Sequence, residues 1–218
     1  MTRAMADTLR AELADSASDP AVGVLVLTGT GDAFSAGADV KETLSGPNAT
    51  IRERRPAPLW PVDELTSFPK PLLCCLNGGA IGGGATLAMA TDLRVAAESA
   101  SLAFSLARHG LTPEFGSSFL LWRQVGYGVA LDLMLSGRTV PARDALALRL
   151  VERVVPDAEV VDATQALAEH LAALPHDAAA RTKAVLRAGL EATWADARKN
   201  ELRALVDLGR RAGERDDS

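Results

Sequence analysis

Two glycine-rich turns, each delivered by an apolar run, constrain this chain more than any other feature. The first, Thr28-Gly29-Thr30-Gly31-Asp32-Ala33-Phe34-Ser35-Ala36-Gly37-Ala38-Asp39, follows Val22-Gly23-Val24-Leu25-Val26-Leu27. That β-branched run suits a buried strand. The second, Asn77-Gly78-Gly79-Ala80-Ile81-Gly82-Gly83-Gly84, follows Leu72-Leu73-Cys74-Cys75-Leu76 and leads into the helix-forming Ala85-Thr86-Leu87-Ala88-Met89-Ala90. Glycine lets a backbone approach a ligand closely and adopt positive φ. Two such turns can aim two peptide N–H groups at one oxygen, which holds a developing oxyanion without a charged side chain. Gly82-Gly83-Gly84 also opens a helix, so free N–H groups and the positive end of the helix dipole are at hand.

A chain of 218 residues with 48% apolar content is long enough for one domain with a sizeable core. Aromatics make up only 4%, so that core relies on Ala, Leu and Val. The net charge of −5 argues against a nucleic-acid partner, which requires a basic patch. The two cysteines, Cys74 and Cys75, are adjacent in an apolar run and read as buried thiols. They offer neither a disulfide framework nor metal-ligand spacing, so a reducing cytoplasm is expected. Residues 71–91 are uncharged and about as long as a bilayer is thick. Asn77, Thr86 and five glycines make a buried strand, turn and helix the better reading.

Along the chain, strands alternate with helices. A helix at about 2–16 carries Met5, Leu9 and Leu13 on one face; a strand at 22–28 and a turn region to 41 follow. The segment 42–58 holds Gly46, Pro47, Pro56, Pro58 and the cluster Arg52-Glu53-Arg54-Arg55, which reads as a solvated face. Then come a short helix at about 60–67, the strand at 71–76, the glycine-led helix at 82–90 and a strand at 93–97. From Pro113 onward the pattern is mostly helical: 119–122, 129–135, 160–174, and 177–211 with a break near Gly189. The whole predicts one α/β domain, with a core over about 1–140 and a helical part over about 141–218.

Rival glycine motifs fail on spacing. Gly29-Thr30-Gly31-Asp32-Ala33-Phe34 follows a strand and supplies two glycines of a dinucleotide fingerprint, but Phe34 stands where the third belongs and no helix opens there. The second turn lacks both that spacing and the Lys-Ser/Thr of a phosphate loop. A G-x-S-x-G nucleophile elbow is absent from the sequence.

Ala33-Phe34-Ser35-Ala36-Gly37-Ala38-Asp39-Val40-Lys41 resembles the first signature of the enoyl-CoA hydratase/isomerase (crotonase) family. Lys70-Pro71-Leu72 through Asn77-Gly78, Ile81-Gly82-Gly83-Gly84 and Ala90-Thr91-Asp92-Leu93-Arg94 resemble the second. The likeness continues through Leu135-Ser136-Gly137-Arg138 and Val154-Val155-Pro156 in the family's order. It implies a crotonase-type fold, a ββα-repeat spiral core with a helical C-terminal part, and assembly as a homotrimer or homohexamer. It assigns the two oxyanion N–H groups to Ala36 and Gly83. Substrate contacts fall on Ala36, Gly37, Ala38, Asp39, Lys41, Gly82, Gly83 and Thr86, with Lys41 placed for the phosphates of coenzyme A. The substrate would be an acyl-CoA thioester, with no metal or redox cofactor. By the same comparison, the usual N-terminal strands, the Asn-Ala-Leu segment that helps hold CoA and the final basic segment have no counterpart here. The 42–58 segment falls where family members shape the acyl pocket, which makes it a candidate lid.

Family hydratases use two glutamates. One stands two residues after the triple glycine, where this chain has Thr86; the other stands four residues before the glycine matching Gly110, where it has Leu106. Neither can exchange a proton with water at neutral pH. A carboxylate comes later, in Gly110-Leu111-Thr112-Pro113-Glu114-Phe115-Gly116-Ser117-Ser118, a segment that resembles family isomerases using a single acid. On its own, Glu114 also reads as a helix-start residue, with Thr112 as N-cap and Pro113 at the first helical position. His109 reads as an orienting or surface group, Asp39 as a turn cap and Asp92 as a helix end, while His170 and His176 lack a partner pattern. Three readings follow. The first is an isomerase that moves a β,γ double bond to the α,β position with Glu114 as base. The second is a hydratase, or another enolate enzyme, drawing its base from 42–58. The third is an acyl-CoA-binding protein without catalysis.

Overall fold

Pro71 sets where the first ladder can begin. The computed structural model describes residues 1–38 and 60–216. In it, β1 (Leu25–Thr28) pairs in parallel with β3 (Leu72–Leu76), starting at Leu25 opposite Leu72. Proline has no N–H to donate, so the ladder stops there and the predicted strand at 22–28 loses its first three residues. Gly23 lies instead against the imidazole of His176: a Cβ at that position would sit 2.7 Å from Nε2. Outside β3 runs β5 (Leu93–Ala97), and outside that β8 (Arg153–Val155), giving a parallel sheet ordered β1-β3-β5-β8. Every residue of β3 is buried, as expected of a parallel strand covered on both faces.

The glycine turns are more than turns. The first contains β2 (Ala33–Ser35) and the second β4 (Gly79–Ile81). With β6 (Ser101–Ala103) and the antiparallel β7 (Thr139–Pro141) they form a second sheet ordered β2-β4-β6-β7. Successive pairs, β1 with β2, β3 with β4 and β5 with β6, each send one strand to either sheet. Three-residue strands embedded in glycine-rich runs are too short to carry an alternating signal, which is why the sequence reads them as turns.

Helix α1 (Arg3–Ser18) starts at Thr2, whose hydroxyl accepts the Met5 N–H. Its inward stripe is Ala6, Leu9 and Leu13, while Met5 is exposed. The short α2 (Val62–Ser67) and the buried α3 (Gly83–Ala90) follow as expected. Past a 3-10 turn at Leu106–His109 come α4 (Ser117–Val125), α5 (Tyr127–Ser136), α6 (Ala142–Ala147), α7 (Val160–Ala172), α8 (His176–Gly189) and α9 (Trp194–Asp216). The C-terminal part is mostly helical, yet it supplies β7 and β8 to the sheets. The 71–91 stretch is strand, turn and helix, and among the described residues no helix is long and apolar enough to cross a membrane.

Two charged residues pin this frame. Asp92 does not end a helix: α3 ends at Ala90 with Thr91 as its cap. The Asp92 carboxylate accepts the Leu72 N–H at 2.8 Å and pairs with Lys183 and Arg187, both at 2.7 Å, which fastens α8 to the start of β3. Burial pulls the Lys183 ammonium below its ordinary pKa, and the Asp92 charge pulls the other way. Arg94, 2% exposed, donates to Glu152 at 2.6 Å, to the Leu150 carbonyl at 2.7 Å and to the Thr91 carbonyl at 3.0 Å, tying β5 to the approach to β8. Cys74 and Cys75 are free and buried, and burial pushes the Cys74 thiol far above its ordinary range, so it is a packing group.

Candidate active site

The two glycine turns meet where β2 ends and α3 begins. Gly82 is the N-cap of α3, with φ 57° and ψ −120°, and no side chain caps the helix. Its own N–H is spent on the Ala103 carbonyl at 2.8 Å, which anchors the turn to β6. The N-cap itself offers the first-turn N–H groups from Gly83 onward no side-chain acceptor, and the helix dipole adds positive potential there. Gly37, with φ 92°, comes from the other turn: a Cβ on it would lie 3.0 Å from the Ile81 oxygen and 3.5 Å from the Gly83 nitrogen. Gly84 packs closer still, since a Cβ there would stand 2.2 Å from the Ser35 oxygen. Side chains are excluded from this junction by contact, which is the use of its glycines. Ala36 follows β2 directly and is exposed, while Gly37 is buried. The Met1 amino group donates to the Gly37 carbonyl.

A roof of two aromatic rings covers the junction. The Trp60 indole lies against Gly83, 2.9 Å from where a Cβ would be. Its ring centroid is 5.3 Å from that of Phe115, with the planes 35° apart. Phe115 adjoins Glu114, so the loop bearing the carboxylate is tied to the glycine turn through two rings. This loop corrects the sequence reading: α4 starts at Ser117 with Gly116 as N-cap, so Thr112, Pro113 and Glu114 lie outside the helix. The reason is two consecutive left-handed residues, Phe115 at φ 55° and Gly116 at φ 76°, which turn the chain before the helix can begin. The Glu114 carbonyl accepts the Ser117 N–H at 3.0 Å and its side chain is partly exposed.

Beside the turn is a cavity of about 190 Å³, lined by Gly82 and Thr86 of the α3 end, Leu106 and Ala107 of the 3-10 turn, Pro113 and Ser117 flanking the Glu114 loop, and apolar residues of α5. Thr86 and Leu106, the positions at which the hydratase pattern has its glutamates, share this wall. Among the described residues the lining contains no carboxylate. Thr86 is buried, its hydroxyl 3.5 Å from the Gly82 carbonyl, a weak contact. His109 is exposed on the 3-10 turn. Asp39, Lys41 and the 42–58 segment lie outside the described residues. The structure thus gathers Gly37, Gly82, Gly83 and Thr86 at one junction and brings the Glu114 loop to its edge. Trp60, Phe115 and Ser117 join them without a sequence signal, for a lone Trp beside a proline and a Ser-Ser pair fit many settings.

Comparison with known proteins agrees with this architecture. The family model described as enoyl-CoA hydratase/isomerase matches residues 1–215. A protein of Mycobacterium bovis named as a probable enoyl-CoA hydratase is 38% identical over 202 residues, covering 87% of this chain and 69% of that one. The 1,2-epoxyphenylacetyl-CoA isomerase of Escherichia coli is 36% identical over 179 residues, covering 78% of this chain and 68% of its own. The crystal structure of enoyl-CoA hydratase from Bacillus anthracis superposes with a TM-score of 0.84 at 30% identity, over 93% of this chain and 79% of that one. This chain belongs to the enoyl-CoA hydratase/isomerase family and has the crotonase fold.

Proposed function

We propose that this protein is an enoyl-CoA isomerase that moves a β,γ double bond into conjugation with the thioester. The observation that carries the reading is the cavity wall. Thr86 and Leu106 occupy the two hydratase carboxylate positions, and the loop that closes the same cavity bears Glu114. In this reading the thioester oxygen sits between the Ala36 and Gly83 N–H groups. Glu114 takes a proton from the α-carbon, the electron pair moves into the carbonyl to give an enolate, and the N–H pair holds the oxygen. The enolate then collapses as the γ-carbon takes the proton back from Glu114, leaving the α,β-enoyl thioester. One oxyanion donor is worth about 3–4 kcal/mol and one positioned base about 10²–10⁴ in rate. Gly37 and Gly82 shape the junction, Ala38, Asp39 and Lys41 extend the contact toward coenzyme A, and the acyl-CoA is the only small molecule required.

A hydratase reading is favoured by the names of many relatives, the Mycobacterium bovis protein among them. It requires a base other than Thr86 or Leu106. Homo-oligomers fit the exposed apolar residues of the C-terminal helices, with Trp194 80% and Leu186 68% exposed. The test is to incubate purified protein with β,γ-enoyl-CoA and, separately, with α,β-enoyl-CoA, following double-bond position by proton NMR and water addition by mass. Isomerisation without hydration is expected. Hydration without isomerisation transfers the assignment to the hydratase, and binding with neither reaction leaves an acyl-CoA-binding protein.

A further inference from the structure

Ser117 is the anomaly of the cavity. It is the first residue of α4 and 3% exposed, and its hydroxyl is the one buried side-chain oxygen or nitrogen without a hydrogen-bond partner among the described residues. A serine at a helix start ordinarily spends its hydroxyl on a backbone N–H. Here Gly116 holds the capping position, the α4 start has no side-chain cap, and the Ser117 backbone N–H goes to the Glu114 carbonyl. Ser117 is one of the residues lining the mostly apolar pocket, with Phe104, Leu106, Pro113, Leu131 and Met134 beside it and Thr86 as the other hydroxyl-bearing residue. A dry, unpaired hydroxyl costs stability, and an alanine would fill the same wall without that cost.

We propose that the Ser117 hydroxyl is a specificity group that hydrogen-bonds an oxygen carried on the acyl chain beyond its β-carbon, so that the pocket prefers an oxygenated acyl group over a plain hydrocarbon of equal length. The inference rests on the acyl-CoA reading above and extends it. The volume agrees: a cavity of about 150 Å³ admits a benzene-sized molecule, and this one is about 190 Å³. Six heavy atoms, a five-carbon tail with one oxygen, are of that size. The chemistry agrees as well. A hydroxyl both donates and accepts, so it can pair with an alcohol or a carbonyl, and without charge it leaves the pocket open to the carbon chain. A site built to pair with a polar group discriminates against the analogue that lacks it, because its own polar atom is then stranded. Thr86, on the same wall and only weakly engaged, offers a second hydroxyl to the same ligand.

The experiment is calorimetric titration of the full chain with saturated thioesters: hexanoyl-CoA against 4-oxohexanoyl-, 5-oxohexanoyl- and 6-hydroxyhexanoyl-CoA. The readout is the ratio of dissociation constants. One oxygenated thioester is expected to bind about three- to tenfold more tightly than hexanoyl-CoA, the range of one net hydrogen bond. In Ser117→Ala that ratio falls to about one. Ser117→Cys, a near-isostere with a weak donor, gives an intermediate ratio and stands in if the alanine variant fails to fold. Absence of a preference in the parent, or its persistence in both variants, overturns the inference while the acyl-CoA reading stands. If the parent binds none of the four thioesters, the acyl-CoA reading itself falls and takes this inference with it.

Discussion

Replacing Gly84 with alanine tests the junction of the two turns more directly than any change to a side chain. The new Cβ would lie 2.2 Å from the Ser35 oxygen, 2.8 Å from Ser35 Cβ and 2.9 Å from its carbonyl carbon. Ordinary contact begins near 3.4 Å, so the shortest approach must open by the difference, 1.2 Å. Two of the three opposing atoms are backbone and cannot swing aside. The Ser35 carbonyl also belongs to the peptide unit that carries the Ala36 N–H. Pushing that oxygen away therefore moves one proposed oxyanion donor relative to the other, Gly83, by about the same distance. A donor moved from about 2.9 Å to about 4 Å no longer makes a hydrogen bond. Misplacement of about 1 Å costs roughly 10²-fold in rate, and loss of one oxyanion donor costs roughly 10²–10³-fold. Overpacking adds a stability loss of about 1–3 kcal/mol. The assay pairs kcat on a β,γ-enoyl-CoA with thermal melting. Gly128→Ala is the control, since a Cβ there meets nothing within 4 Å and an alanine in α5 stabilises by about 0.5–1 kcal/mol. A Gly84→Ala protein with parental kcat and parental melting would refute the close approach of the turns and the donor pair built on it.

Glu114→Gln is expected to lower turnover of β,γ-enoyl-CoA by about 10²–10⁴-fold while the dissociation constant for acyl-CoA stays within a few-fold; stopped-flow rates and calorimetry separate the two. Arg94→Met removes three hydrogen bonds and the partner of Glu152, so urea unfolding should show a loss of about 3–5 kcal/mol, and a loss below 1 kcal/mol would mean the pair contributes little. The Ser99 N–H, 2.9 Å away, holds the Asp157 carboxyl below the ordinary carboxylate range. Because the folded pKa is the lower one, its stabilisation is fully present above about pH 4 and is lost as pH falls through the folded value. Asp157→Asn should therefore narrow its stability gap to the parent as pH drops from 5 toward 2, and a constant gap in pH-dependent denaturation would contradict this.

The strands that hold the core were legible because they are long and uniformly apolar: Leu72–Leu76 and Leu93–Ala97 stand where the sequence predicts them. The second sheet was not, since Ala33–Ser35 and Gly79–Ile81 are short, glycine- or alanine-rich, and made into strands by partners far along the chain. Both glycine turns were legible as turns. Their contact was not, because the fit of Gly84 on Ser35 joins residues 49 positions apart, and local sequence holds no record of such a meeting. The Glu114 segment was misread as a helix start for a local reason. Thr-Pro-Glu is a good N-terminal pattern, and the left-handed Phe115, which cancels it, carries a side chain that rarely adopts such a φ. Asp92 was misread as a helix end because its true partners, Lys183 and Arg187, lie about ninety residues later.

Phe115 supplies the link between these parts. A non-glycine residue at φ 55° carries roughly 1–3 kcal/mol of strain, so something must hold it there. The Trp60 ring, packed against Phe115 on one side and Gly83 on the other, is the structure's answer, since such aromatic pairs contribute about 0.5–1.5 kcal/mol beyond burial alone. Gly83 in turn has no room for a side chain beneath that indole. The Glu114 loop is thus tied to the Gly83 turn through Trp60, at the entry to α2, as well as to the helix that follows Glu114. In an enolate mechanism the base must stand over the α-carbon while the N–H pair holds the oxygen two bonds away from it. In the proposed reading, the aromatic bridge between the Gly83 turn and the Glu114 loop fixes that distance, while Glu114 collects a proton at the α-carbon and releases it at the γ-carbon.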